Sequence, residues 1–159
     1  MSVSVETPAT EAVIIMRRTF DAPRAQVWRA FTDPKHVAQW YGGHGFSSPV
    51  CEMDVRPGGL WRHVMRLPDG KEFALDFIFV EVVPPQRLVW KDAGYDDPPA
   101  AGAPQRINTV TFEENGGGTD LKLVTTFRSI EDRDMTVKMG FTHIVSQGIE
   151  RLAALLQTL

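Results

Sequence analysis

The chain carries a single cysteine, Cys51, in 159 residues. No disulfide can form within it, and the composition fits a reducing compartment. Long apolar runs are also missing. The longest in the N-terminal part, residues 12–16, is too short for the core of a secretion signal or for a membrane span. Positive charge is not in excess: 17 Lys and Arg against 20 Asp and Glu leave a formal net charge of -3, with no basic stripe. Nucleic acid and membrane insertion are therefore not expected, and the cytoplasm is the expected location. No GxSxG elbow, HExxH pair or phosphate-binding loop occurs. Any chemistry would rest on isolated side chains, and neither a cofactor nor a metal is expected.

What is present suffices for one globular domain, with 43% hydrophobic and 23% charged residues. Residues 1–11 are polar and irregular and read as a flexible tail, leaving 12–159 as the domain. The sharpest local signals lie early. Asp21 precedes Ala22-Pro23, so its carboxylate is placed to cap a helix whose first position is proline. Val27, Ala30 and Phe31 then share one helical face, with Trp28 beside them. Asp33-Pro34 repeats the start signal, and a second short helix carrying Val37, Ala38 and Trp40 is expected to stop at Gly42-Gly43.

A β-branched stretch at 12–19 predicts a strand before this helix pair. After it, alternation and turn chemistry predict strands at 50–55, 60–67, 73–83, 88–91, 106–113 and 121–127. The proline- and glycine-rich segment 93–105 is expected to be the least ordered internal loop. A long helix is predicted from about 132 to 157. Val137, Phe141, Ile144, Val145, Ile149, Leu152, Leu155, Leu156 and Leu159 form its apolar stripe, with His143, Gln147, Glu150 and Gln157 opposite. Glu131, Asp132 and Asp134 suit its start by opposing the helix dipole. Gly148 interrupts the stripe, where glycine costs about 1 kcal/mol relative to alanine. Close approach to the sheet or a notch for a ligand would explain it. This order predicts an α+β fold, an antiparallel sheet gripping a long C-terminal helix.

The segments RTFDAP (18–23), VWRAFTDP (27–34), WYGG (40–43), CEMDVRPGG (51–59), MRLPDGKEF (65–73), EVVPPQRLVW (81–90), VTFEENGGGTDLKL (110–123) and ERLAALL (150–156) together resemble the START-like, or helix-grip (SRPBCC), superfamily. They are similar in particular to the branch typified by the C-terminal domain of the activator of the heat-shock protein 90 ATPase. The resemblance implies a hydrophobic cavity between sheet and helix, used across the superfamily for lipids, sterols and aromatic polyketides, and in a few members for catalysis. Two departures stand out. The 93–105 loop is longer than expected for the branch, and Ile144-Val145 replaces a small residue followed by a large aromatic one, leaving more interior volume.

The expected cavity wall comprises Trp40, Tyr41, Trp61, His63, Met65, Phe77, Phe141, Ile144 and Gly148. Strand alternation puts Trp61, His63 and Met65 on one face, so His63 either finds a polar neighbour or serves a ligand as base or donor. Asp76 lies in an all-apolar run, so alternation does not orient it. Beside His63 it would make an acid–base pair, and on the solvent side it would do nothing. Cys51 is expected to be a buried, inert thiol, and His36, His44 and His143 lack metal-ligand spacing. The function expected is binding of a small hydrophobic ligand, aromatic or lipid-like. The alternatives are a cavity enzyme of the cyclase, dehydratase or hydrolase kind and a chaperone-interaction module. A homodimer is compatible with open strand edges.

Overall fold

The computed structural model describes residues 2–95 and 105–159. The chain runs β1 (Ser4–Glu6), β2 (Val13–Phe20), α1 (Arg24–Thr32), α2 (Pro34–Trp40), β3 (Ser47–Met53), β4 (Leu60–Arg66), β5 (Glu72–Val83) and β6 (Arg87–Asp92). It continues with β7 (Arg106–Asn115), β8 (Gly118–Phe127), α3 (Ile130–Lys138) and α4 (Phe141–Leu156). The eight strands form one open sheet in the order β1-β2-β8-β7-β6-β5-β4-β3, with every neighbouring pair antiparallel. Its inner face packs against α1, α2 and the amphipathic α4, which makes the α+β helix-grip arrangement. No helix among the described residues is long and apolar enough to cross a membrane.

Strand alternation dictates what this inner face presents. Ile14, Met16 and Phe20 come from β2, Trp61 and His63 from β4, and Phe77 and Phe79 from β5. Leu88 and Trp90 come from β6, Val110 and Phe112 from β7, and Leu121, Leu123 and Phe127 from β8. Ile149, Leu152 and Leu156 of α4 close over them. Each such side chain contributes roughly 1.5–3 kcal/mol when fully buried, so this layer dominates the stability.

Local chemistry sets the two short helices. Asp33 caps α2, its Oδ1 accepting from the Lys35 backbone N–H at 2.9 Å, with Pro34 in the first turn. The parallel expectation for Asp21 fails. Pro23 itself occupies the N-cap of α1 and no side chain caps that end. The preset φ of proline also suits the extended cap conformation, so the helix begins one residue later and Asp21 is too far away to reach it.

Two further expectations are corrected. Residues 4–6 are not part of a loose tail, because β1 pairs with β2 from Ser4↔Arg17 to Glu6↔Ile15. The buried Arg133 of α3 holds the segment that follows, its Nη1 reaching the carbonyls of Pro8 (2.7 Å), Glu11 (3.0 Å) and Val13 (3.1 Å). The long C-terminal helix is two helices. Gly140 stands between them at φ 90°, a left-handed conformation that only glycine adopts freely, and α4 starts after it. Ser129 caps α3 by accepting from the Asp132 N–H, and Glu131 and Asp132 occupy its first turn.

Candidate functional site

A cavity of about 160 Å³ lies between the inner face of the sheet, the end of α2 and the first half of α4. Six aromatic side chains line it: Phe31, Trp40, Tyr41, Phe77, Trp90 and Phe141. Met65, Leu75 and Leu123 from the sheet and Ile144, Val145 and Ile149 from α4 complete the apolar wall, while Arg106 and Asn108 add polar groups from β7.

The helix corner fixes the first part of this wall. The Trp40 indole N–H donates to the Ala30 carbonyl at 2.8 Å, tying α2 back to α1, and its ring lies 4.9 Å from that of Phe31. Tyr41, the next residue, is the C-cap of α2. Its ring sits 5.4 Å from Trp61 and 4.5 Å from His63, so one face of Tyr41 covers the core while the residue also lines the cavity.

Of the wall residues expected from sequence, Trp40, Tyr41, Met65, Phe77, Phe141 and Ile144 line the cavity, whereas Trp61, His63 and Gly148 do not. Trp61 is a core residue behind it, packed against Phe77 (4.9 Å), Trp90 (5.5 Å) and Phe79, the last nearly parallel at 11°. Gly148 is explained by close approach. A β-carbon there would lie 3.2 Å from the Gly42 carbonyl and 3.3 Å from that of Trp40. The neighbour is the backbone at the end of α2, neither the sheet nor a ligand notch, which corrects both expectations for this glycine.

His63 points inward but is only 1% exposed and already satisfied. The Trp61 indole N–H donates to Nδ1 at 3.2 Å. An indole only donates, so Nδ1 carries the lone pair and Nε2–H donates to the Ser48 hydroxyl at 2.8 Å. Burial pushes its pKa down to about 4, which leaves a neutral imidazole at pH 7. Asp76 cannot join it. In the β4–β5 register Asp76 faces Arg62 and His63 faces Leu75, so the carboxylate lies on the opposite, exposed side. The acid–base pair considered for a cavity enzyme is therefore not assembled.

Cys51, opposite His63 on β3, is half-buried, and burial raises its thiol to about 11. His44 and His143 are linked through Gln147, which accepts from the His44 backbone N–H and contacts His143 Nε2 at 2.8 Å. Among the described residues no three His, Cys, Asp or Glu side chains converge as metal ligands would. The expectation about the 93–105 loop falls mostly on residues 96–104, which lie outside the described residues.

The polar part of the wall was not anticipated. Asp92 ends β6 on the inner face and accepts from Arg106 three times: from the backbone N–H at 2.8 Å, from Nε at 3.1 Å and from Nη2 at 3.2 Å. The Arg106 guanidinium also lies 5.5 Å from the Phe141 ring centre. Two residues along β7, Asn108 is 7% exposed and its Oδ1 accepts from the Thr125 hydroxyl at 2.8 Å. Burial pushes the Tyr41 phenol up to about 12, opposed by the Arg106 cation and reinforced by Asp92, so the hydroxyl stays protonated. The signal was in the alternation of β7, since Arg106 and Asn108 share parity with the core residues Val110 and Phe112.

Solved structures share the fold from end to end. A Nitrosomonas europaea protein is 27% identical with a TM-score of 0.84, covering 95% of this chain and 97% of its own. One from Mycobacterium smegmatis is 27% identical with a TM-score of 0.84, covering 96% of this chain and 95% of its own. One from Chromobacterium violaceum is 30% identical with a TM-score of 0.72, covering 91% and 96%. No functionally curated protein matches the chain. Residues 21–157 match the description Activator of Hsp90 ATPase homolog 1-like protein, nearly the whole domain, and the chain belongs to that family.

Proposed function

We propose that this protein binds a small, largely apolar, ring-bearing molecule in the cavity between the sheet and α4. The observation that carries the reading is the wall itself, with six aromatic rings and six aliphatic or thioether side chains around about 160 Å³ and only a few polar groups. Small-molecule sites have this composition, apolar walls with a few placed polar groups that orient the ligand. An apolar cavity of about 150 Å³ holds one benzene-sized molecule, so the natural occupant is a single-ring compound or one a little larger. The rings of Trp40 and Trp90 are each tilted by about 50° to that of Phe31, at 4.9 and 5.8 Å, and ring faces and edges on the wall suit an aromatic guest.

Titration with isopropylbenzene, followed by the indole N–H signals in nitrogen–proton NMR spectra, tests this. Trp40 and Trp90 line the cavity, and Trp28 does not. The first two signals are expected to shift saturably while Trp28 stays still, and Ile144→Trp, which fills the cavity, is expected to abolish the shifts. Absence of saturable shifts at Trp40 and Trp90 in the unaltered protein would refute the proposal.

A further inference from the structure

We infer that the ligand of this cavity carries a neutral oxygen acceptor of the carbonyl kind, which Asn108 and Tyr41 grasp beside the Asp92–Arg106 pair. The inference rests on the reading of the cavity as a ligand site and adds the chemical class.

Three polar side chains line the otherwise apolar wall, Tyr41, Arg106 and Asn108, and each has a donor left to offer. Asn108 is 93% buried by its 7% exposure, and its carbonyl oxygen is taken by Thr125. Among the described residues nothing accepts from its NH2 group. Asn108 lines the cavity, so a ligand oxygen there can accept from this NH2 group. The Tyr41 hydroxyl makes no hydrogen bond among the described residues either. It stays protonated through the physiological range, so it too can donate. Arg106 commits Nε and Nη2 to Asp92 and keeps Nη1. A ligand offering only donors, such as an amine, would find only the second lone pair of Asn108 Oδ1 and the phenolic oxygen among the side chains of the wall, and would leave the Asn108 NH2 and the free Arg106 N–H unused.

Charge separates the possible acceptors. An arginine in an apolar wall would ordinarily suit a carboxylate, but Asp92 takes two N–H groups of this guanidinium and its backbone N–H as well. The pair is neutral as a unit and only about one-fifth exposed, at 22% and 17%. A ligand carboxylate would lose its hydration, face Asp92 and find no uncompensated cation. A ketone, aldehyde, quinone or lactone oxygen loses far less hydration than a carboxylate and gains two or three donors.

The test uses three ring compounds of nearly equal size at pH 7: acetophenone with a neutral carbonyl, benzoate with a carboxylate, and isopropylbenzene with neither. Acetophenone is expected to bind at least about tenfold more tightly than isopropylbenzene, the effect of one hydrogen bond to a buried donor, and more tightly than benzoate. Tyr41→Phe and Asn108→Leu are each expected to pull the acetophenone preference toward one while leaving isopropylbenzene affinity nearly unchanged. Tyr41→Phe keeps the ring and the packing, so it remains informative where Asn108→Leu, which strands the Thr125 hydroxyl, fails to fold. Equal binding of acetophenone and isopropylbenzene would overturn this inference and leave the cavity reading standing. Benzoate binding as tightly as acetophenone would overturn the neutral-acceptor class, and an unchanged preference in Tyr41→Phe would remove Tyr41. Failure of all three compounds would overturn both this inference and the proposed function.

Discussion

The carbonyl oxygen of Gly42 lies 3.2 Å from where a β-carbon on Gly148 would stand. The backbone at the end of α2 thus rests directly on α4, and that contact sets how far the Trp40–Tyr41 corner stands from the helix.

Gly148→Ala is expected to destabilise the protein by about 1 kcal/mol. Alanine gains about 1 kcal/mol of helix propensity. The added methyl meets backbone atoms of Gly42 and Trp40, which cannot rotate away, and overpacking of this kind costs about 1–3 kcal/mol. The urea midpoint measures the balance, and a rise in midpoint would show that the loop gives way easily.

Arg151 is what keeps that loop from yielding. Its two terminal nitrogens reach the carbonyls of Gln39 (2.7 Å), Gly43 (3.0 Å), Gly42 (3.2 Å) and Phe46 (3.3 Å). Burial makes its guanidinium less basic than usual, yet arginine remains charged. Arg151→Met keeps much of the stem but orphans those carbonyls. A loss of roughly 2 kcal/mol, or about 4–8 °C in Tm for a chain of this size, is expected in thermal unfolding. An unchanged Tm would contradict the clamp.

His63 gives the stability an acid limb. Its folded pKa of about 4 lies below the ordinary 6.5, so between those values the unfolded chain binds more protons and stability falls as pH falls. From pH 7 to pH 5 this one group removes about 2 kcal/mol, and the loss is complete near pH 4 and below. Unfolding free energies of the wild type and His63→Gln, measured at both pH values, isolate the effect, and the variant is expected to show a slope shallower by that amount. A His63 titration midpoint above 6 in NMR spectra would refute the premise.

Sequence reasoning reached the architecture because its cues are local. Asp33-Pro34 opens α2 as its chemistry requires, and the parity of Trp61, His63 and Met65 puts them on the inner face. It ran out where a property belongs to two distant segments at once. Arg133 reads as a surface charge on an acidic helix until α3 meets the carbonyls of residues 8–13. Gly140 falls between positions that continue an apolar period, so the break was hidden by a pattern that both halves satisfy. In the site, alternation could have drawn attention to Asn108 and Arg106. Their hydrogen-bond partners, Thr125 and Asp92, come from the neighbouring strands β8 and β6, and only pairing decides which donors are left over.

Tyr41 belongs to two compartments. One side of its ring lies against His63 and Trp61 in the core, and the residue is also part of the cavity wall. A guest that tilts this ring changes the ring current felt by the buried imidazole, so the His63 carbon-bound protons act as an internal gauge of occupancy without any label. The same double duty constrains diversification. A descendant of this chain can exchange Leu75 or Met65 to suit another guest and disturb little else, whereas replacing the ring at position 41 reshapes the core at the same stroke.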